Sequence, residues 1–142
     1  MKKQALTLVG VLSLLLAAGS AFGQMNHQTI RVQIPFAFVV NRQALPPGEY
    51  TVSRLGDNDA ILLIRGTENK EVMMATSNRM ESSKPASKTK LVFRRYGADR
   101  YFLSQVWVEG SDTGRQLSKS AHESEVALDF HPTDVIVMAS LQ

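Results

Sequence analysis

From Ile30 to Val40 every even position is apolar (Ile30, Val32, Ile34, Phe36, Phe38, Val40), while the odd positions hold Arg31, Gln33, Pro35, Ala37 and Val39. A repeat of two puts alternate side chains on opposite faces of an extended chain, so this stretch predicts a strand with one wet face. Pro35 has no N–H to give to a ladder; it sets the strand at a sheet edge or splits it at a bulge. A chain that begins this way needs further strands to cover the apolar face, and the rest of the sequence supplies them.

The stretch LPPGEYTV, Leu45 to Val52, follows. Pro46 and Pro47 fix two successive backbone angles and remove two donors, and Gly48 tolerates a positive φ, so the chain turns there before Tyr50-Thr51-Val52 resumes the alternation. Leu45, Gly48 and Tyr50 resemble a tyrosine corner, in which the tyrosine hydroxyl bonds back to the backbone a few residues upstream. Each residue type here has a backbone reason to be present, so the stretch reads as a corner that redirects the chain rather than a loop that holds a ligand.

Gly56 to Asp59 reads as a hairpin turn, because Asn and Asp tolerate left-handed backbone and bond their own main chain. Asp57, Asn58 and Asp59 could offer oxygens to calcium, but the glycine and distal glutamate of the twelve-residue calcium loop are missing. Glu71 to Ser77 predicts a short strand, and Asn78 to Lys90, polar and broken by Pro85, the longest loop and a mobile one. Leu91 to Val108 predicts a hairpin about Gly97-Ala98-Asp99. Leu91 and Phe93 alternate with Val92 and Arg94, and Phe102, Val106 and Val108 with Leu103, Gln105 and Trp107. Apolar residues on both faces suggest a central pair, covered on each side or wrapped into a barrel. Gly110 to Arg115 is a turn. Ser120-Ala121-His122-Glu123 fits a capping box that opens a helix toward Asp129, although Val126, Leu128 and Phe130 also alternate as in a strand. His131-Pro132-Thr133 breaks that element, and Asp134 to Ala139 closes the chain as a strand.

The N-terminus carries Lys2 and Lys3, an apolar run from Ala5 to Ala18, then small residues with Ala21 and Gly23 spaced as a signal-peptidase site. The expectation is a signal peptide over residues 1–23, cleavage after Gly23, and a single β-rich domain over 24–142 exported to the periplasm or the extracellular space. A membrane helix wants roughly 20 apolar residues, and no later stretch approaches that, so no membrane span is expected after cleavage. Loss of Lys2 and Lys3 lowers the formal charge from +3 to +1, which removes any broad electrostatic reason to bind nucleic acid. With no cysteine, an exported chain has no disulfide and must rest on its hydrophobic core.

IPFAFVVNRQALPPGEYTV, LVFRRYGADRYFLSQVW and GRQLSKS with the following Glu123 together resemble a family of small exported bacterial proteins of unknown function. Its members combine a signal peptide, a Leu-Pro-x-Gly-x-Tyr corner and a Tyr-Gly-x-x-Tyr-Phe-Leu hairpin. The resemblance spans about Ile30 to Ala139 and implies a mainly β domain with a helix after the Gly-Arg turn. It implies no catalytic residues. The fold expected is a single antiparallel β-sandwich or flattened β-barrel of about seven or eight strands with one short helix near the C-terminus.

Chemistry is thinly supplied. Ser104 lies in no nucleophile elbow, there is no cysteine nucleophile, and the paired carboxylates Asp57 with Asp59 and Glu123 with Glu125 are merely near in sequence. His122, Glu123, Glu125 and His131 come nearest to a metal set, yet no His-Glu-x-x-His spacing exists. No catalytic, cofactor-binding or metal residues are assigned. A binding face is easier to assemble: Arg94, Tyr96, Arg100, Tyr101 and Trp107 interleave guanidinium and aromatic groups that could stack a sugar, a peptide or an aromatic ligand. The opposing reading puts Trp107 in the core with the arginines over its rim. The function expected is a non-catalytic envelope or extracellular binding module whose edge strand or aromatic hairpin meets a protein or glycan of the cell envelope. The alternative is a secreted hydrolase or metal-dependent enzyme using the His122 to His131 region. An outer-membrane barrel would need strands of about 9 to 11 residues with a lipid-facing apolar row.

Overall fold

Alternating apolar positions fold into ten strands and one helix among the residues described by the computed structural model, 28 to 142. The expected signal peptide, residues 1–23, and His27 lie outside the described residues. In chain order the elements are β1 (Ile30–Ile34), β2 (Phe38–Val40), β3 (Gln43–Leu45), β4 (Gly48–Leu55), β5 (Asn58–Gly66), β6 (Val72–Glu81), β7 (Lys90–Tyr96), β8 (Arg100–Trp107), β9 (Thr113–Leu117), α1 (Ala121–Asp129) and β10 (Pro132–Leu141).

Eight of the strands close on themselves. The hydrogen-bonded order β8-β7-β10-β1-β4-β5-β6-β9 returns to β8 through a pairing of β8 with β9, and every pairing in that ring is antiparallel. The fold is therefore a mainly β, closed eight-stranded barrel with a short helix near the C-terminus. β2 and β3 form a hairpin outside the ring, joined to β8 by a parallel contact of Val39 with Phe102. Pro35 is where the first alternating stretch divides. β1 stops at Ile34 and remains a central strand between β10 and β4, and the chain bends across the barrel end before β2 begins.

An eight-stranded barrel has an interior just wide enough for side chains to fill. Val32, Ile34, Val52, Ile64, Leu91, Phe93, Leu103 and Val106 fill this one, each at most 4% exposed. The end where β1 finishes is sealed by aromatic side chains from the crossing chain. The Phe36 ring stacks on Tyr101 at 3.8 Å and meets Phe93 edge-on at 5.0 Å, and Phe38 meets Tyr50 and Phe93 edge-on at 5.1 and 5.6 Å. Such offset or edge-on ring pairs contribute about 0.5–1.5 kcal/mol each beyond their buried area.

The corner at the same end takes the form its sequence suggests. The Tyr50 hydroxyl donates to the Pro46 carbonyl at 2.6 Å and accepts from the Asn69 side-chain amide at 2.9 Å, so one fully buried ring ties the β3–β4 corner to the β5–β6 loop. Gly66 is needed beneath it, since a Cβ there would fall 1.7 Å from the Asn69 side-chain oxygen.

Two local expectations change in the folded chain. The register of β7 with β8 shifts between Val92 and Phe93: Val92 pairs with Gln105 and Phe93 with Leu103, which leaves Ser104 as an extra residue on β8. A bulge of this kind resets the alternation, so Leu103 and Val106 both belong to the interior, whereas Phe102 and Trp107 belong to the outer wall. The strict two-residue pattern that grouped Phe102 with Val106 fails at that one residue. Second, the strand read as Glu71 to Ser77 runs from Val72 on to Glu81, and the stretch read as a turn over Gly110 to Arg115 is already strand from Thr113, because Asn78 to Glu81 pair with β9 residues Gln116 to Thr113. The loop that remains is tied down: Ser82 and Ala86 N–H groups donate to the Asp112 and Ser111 carbonyls, and the Gly110 N–H donates to Ala86.

Helix α1 covers the outer apolar patch on β7 and β8. Ser120 caps it, its hydroxyl accepting from the Glu123 N–H at 3.1 Å. Glu123 does not complete the reciprocal half of a capping box. Its carboxylate instead turns to the barrel wall, 2.6 Å from Arg94 Nε, and accepts from the Tyr96 hydroxyl at 2.8 Å. Val126, one turn on, packs with Tyr96 and Phe102. Leu128, on the far side, is left almost wholly exposed, which marks the helix period over the strand period for this segment.

Candidate functional site

The five residues of the aromatic-arginine stretch do not share a face. Arg94 and Tyr96 lie under α1: Tyr96 is fully buried, and Arg94 is committed to Glu123 through the 2.6 Å ion pair and a 3.2 Å hydrogen bond from Nη2. Burial, then the hydrogen bond and charge of Glu123, push the Tyr96 hydroxyl up to about 12. Tyr101 belongs to the aromatic seal, stacked on Phe36 with the Arg95 guanidinium 5.8 Å from its ring. Arg100 sits 5.6 Å over the Phe130 ring at the end of the helix. Trp107 is 8% exposed on the outer wall, where its Nε1 donates to Gln105 and its ring occupies the space a Cβ at Gly114 would need, 2.7 Å away.

The histidine-acid segment is also dispersed. His122 tilts against Phe102 at 5.8 Å, Glu123 is buried in its bonds to Arg94 and Tyr96, and Glu125 and His131 are exposed. Among the described residues no three His, Cys, Asp or Glu side chains are grouped closely enough to hold a metal ion.

A recess lies at the opposite end of the barrel from the aromatic seal. A cavity of about 420 Å³ opens where β1 begins, between the β4–β5 turn and the β8–β9 connection. Its floor is made by Ile30, Val52, Leu62 and Val106, the last interior layer of the barrel. Its rim is polar and carries three guanidinium groups, Arg54, Arg79 and Arg115, against the carboxylates of Asp59 and Glu109.

Strand register brings these arginines together. Leu55 pairs with Asn58 across a two-residue turn in which Gly56 takes a φ of 59°, the register then shifts so that Arg54 pairs with Leu62, and beside this irregularity the Arg54 guanidinium meets Asp59 at 2.5 Å. The Asp59 carboxyl is held below its usual range by the hydrogen bond and charge of Arg54, with smaller contributions from Arg115 and Arg79. Arg79 and Arg115 are directly opposite on β6 and β9. Like charges placed opposite each other are costly in a sheet unless neighbours hold them apart. Arg79 is drawn to Glu81 at 3.6 Å, while Arg115 is held by Ser77, to whose Oγ its Nε donates at 2.9 Å and to whose carbonyl its Nη2 donates at 2.8 Å.

Ser77 is 2% exposed, and its hydroxyl donates in turn to the Ala60 carbonyl at 3.0 Å. A chain of donors thus runs from Arg115 on β9 through β6 to β5, and it fixes both the hydroxyl and the guanidinium. Sequence reasoning missed this cluster because the Arg54–Asp59 pair, Arg79 and Arg115 lie on three stretches far apart along the chain. The one local hint is Gly114 beside Arg115, the small residue that lets Trp107 lie flat against β9. No protein family, curated protein or solved structure matches the chain.

Proposed function

We propose that the protein is an exported, non-catalytic binding module that takes its ligand in the open mouth of the barrel, in the periplasm or outside the cell. The observation that carries this reading is the asymmetry of the two ends: one is filled with interlocked aromatic rings, the other holds a cavity of about 420 Å³ with an apolar floor and a polar rim. Small-molecule sites favour this combination of apolar walls with a few placed polar groups, and barrel mouths are among their usual locations. The export part of the proposal rests on the signal-peptide pattern at residues 1–23 and on the resemblance to small exported proteins.

Closure also weighs against docking by strand addition. Among the described residues the sheet runs out at β3, three residues long, which leaves little ladder for an incoming strand. The outer wall carries exposed Arg31, Gln33 and Arg65 as well as exposed Val72, Met74, Ile136 and Met138, and the interior is filled mainly by apolar side chains, unlike the polar interior of a barrel that faces lipid.

Two measurements test the proposal. N-terminal sequencing of the protein recovered from the envelope and culture-fluid fractions should begin at Gln24. Native mass spectrometry of the same material should retain a small molecule whose removal shifts the backbone amide resonances of Arg54, Ser111 and Thr113. A protein found only uncleaved in the cytoplasm defeats the export part; a ligand whose removal shifts the α1 or β2–β3 resonances instead defeats the mouth.

A further inference from the structure

The charge pattern of the mouth narrows the class of ligand, an inference that rests on the binding reading above. We propose that the cup takes a small organic anion, its carboxylate or phosphate head on the guanidinium of Arg115 and its body over the apolar floor.

Arg115 differs from the other two arginines of the rim in what neutralises it. Arg54 has Asp59 at 2.5 Å and Arg79 has Glu81 at 3.6 Å, whereas both partners of Arg115 are oxygens of Ser77, a neutral residue. An arginine side chain carries five N–H donors. Ser77 takes one from Nε and one from Nη2, so three remain without a protein acceptor among the described residues. Among the described residues Arg115 forms no ion pair, so its charge is held in place and only partly offset by Asp59 and Glu109, which line the same cavity. Fixing a guanidinium in advance removes much of the ordering cost that binding otherwise carries, and its planar fork matches the paired oxygens of a carboxylate or phosphate.

The surroundings act in the same direction. Arg54 and Arg79 line the same cavity, and the Asp59 carboxyl, lowered first by the hydrogen bond and charge of Arg54, also feels the weaker pull of Arg115 and Arg79. Charges interact more strongly beside a low-dielectric wall than in open water, and Ile30, Val52, Leu62 and Val106 provide that wall. A bare inorganic anion would leave most of about 420 Å³ empty and the apolar floor wet, which favours a charged head attached to an organic body.

The test is a titration of the purified protein at low salt, followed by ¹H–¹⁵N spectra of the backbone amides and of arginine Nε. The probes are octanoate, glucose 6-phosphate and inorganic phosphate, with glucose as the neutral control. Octanoate or glucose 6-phosphate should shift the Ser111, Thr113 and Gly114 amides together with Arg115 Nε, more tightly than inorganic phosphate does, and glucose should not. Arg115→Gln should weaken that binding by about tenfold or more, and Arg115→Lys, which keeps the charge without the fork, should restore only part of it. The wild-type Nε shift keeps the proposal testable should either variant fold poorly. Shifts at the mouth from glucose but from no anion overturn the anionic class, equal anion binding by Arg115→Gln overturns the placement of the head on Arg115, and either result leaves the binding mouth standing. Silence of the mouth amides toward all four probes overturns both.

Discussion

The two ends of this barrel are built from the same strands, yet one is made to be solid and the other to be hollow. At the sealed end the side chains are large, apolar and mutually locked: Phe36, Phe38, Tyr50, Phe93 and Tyr101 meet ring against ring. At the open end the interior positions of β6 and β9 pass from Ala75 and Leu117 to Ser77, Arg79 and Arg115, and the last apolar layer is left as a floor. A barrel of eight strands has room for one filled core or one small ligand. This one divides its length between the two, and the division sets where substitutions should cost stability and where they should cost binding.

The largest loss is expected at the seal. Phe93 is fully buried and touches both Phe36 and Phe38, so Phe93→Ala should lower the unfolding free energy by about 3–5 kcal/mol in urea denaturation. A loss under about 1 kcal/mol would break the comparison, because the aromatic end would then not be the stabilising one. Next comes the outer wall beside the seal. Glu123→Gln removes the negative partner of Arg94, whose side chain is 11% exposed, and should cost about 3 kcal/mol by leaving a guanidinium buried and uncompensated. The same cluster gives the stability a pH limit. Folded Tyr96 keeps its proton to about 12, whereas a free tyrosine releases it near 10; the folded state therefore binds more protons in that window. Stability contributed by Tyr96 is fully present below pH 10 and should be lost as pH rises from about 10 to about 12, and Tyr96→Phe should flatten that part of the curve.

A smaller effect should come from the corner. Tyr50→Phe keeps the ring and deletes only the hydroxyl that bridges Pro46 and Asn69, for an expected loss of about 1–2 kcal/mol with no change at the mouth.

What the sequence revealed divides along the same line. The sealed end is legible because its signals are local. The Tyr50 corner is read from residues four apart, the β7–β8 hairpin from a turn of three, and the Ser120 cap from a spacing of three. Closure of the barrel and assembly of the mouth are not local. Arg115 and Ser77 are 38 residues apart, and only the register of β6 against β9 makes them neighbours. The Ser104 bulge adds a second obstacle, since one extra residue reverses which side chains face inward and carries Trp107 to the outer wall. Pattern reading therefore joined Arg94, Tyr96, Arg100, Tyr101 and Trp107 by proximity in sequence, while the barrel wall sets Tyr101 inside and the other four on its outer side, with Arg94 and Tyr96 covered by α1.

The smallest stability effect, and the sharpest contrast, is expected at the rim. Arg79 and Glu81 are 66% and 75% exposed, and an ion pair so open to water and salt is worth little to folding. Arg79→Gln should shift the unfolding midpoint by less than about 0.5 kcal/mol equivalent, and even raise it slightly, because it relieves the repulsion from Arg115 directly across the ladder. The same variant takes one of the three positive charges from the mouth, so the affinity for an anionic probe should fall and its dependence on salt should flatten. A residue that changes binding while leaving stability alone is what a hollow end predicts. If Arg79→Gln instead destabilised the protein as strongly as Tyr50→Phe, the rim would be part of the scaffold, and the contrast between the two ends would fail.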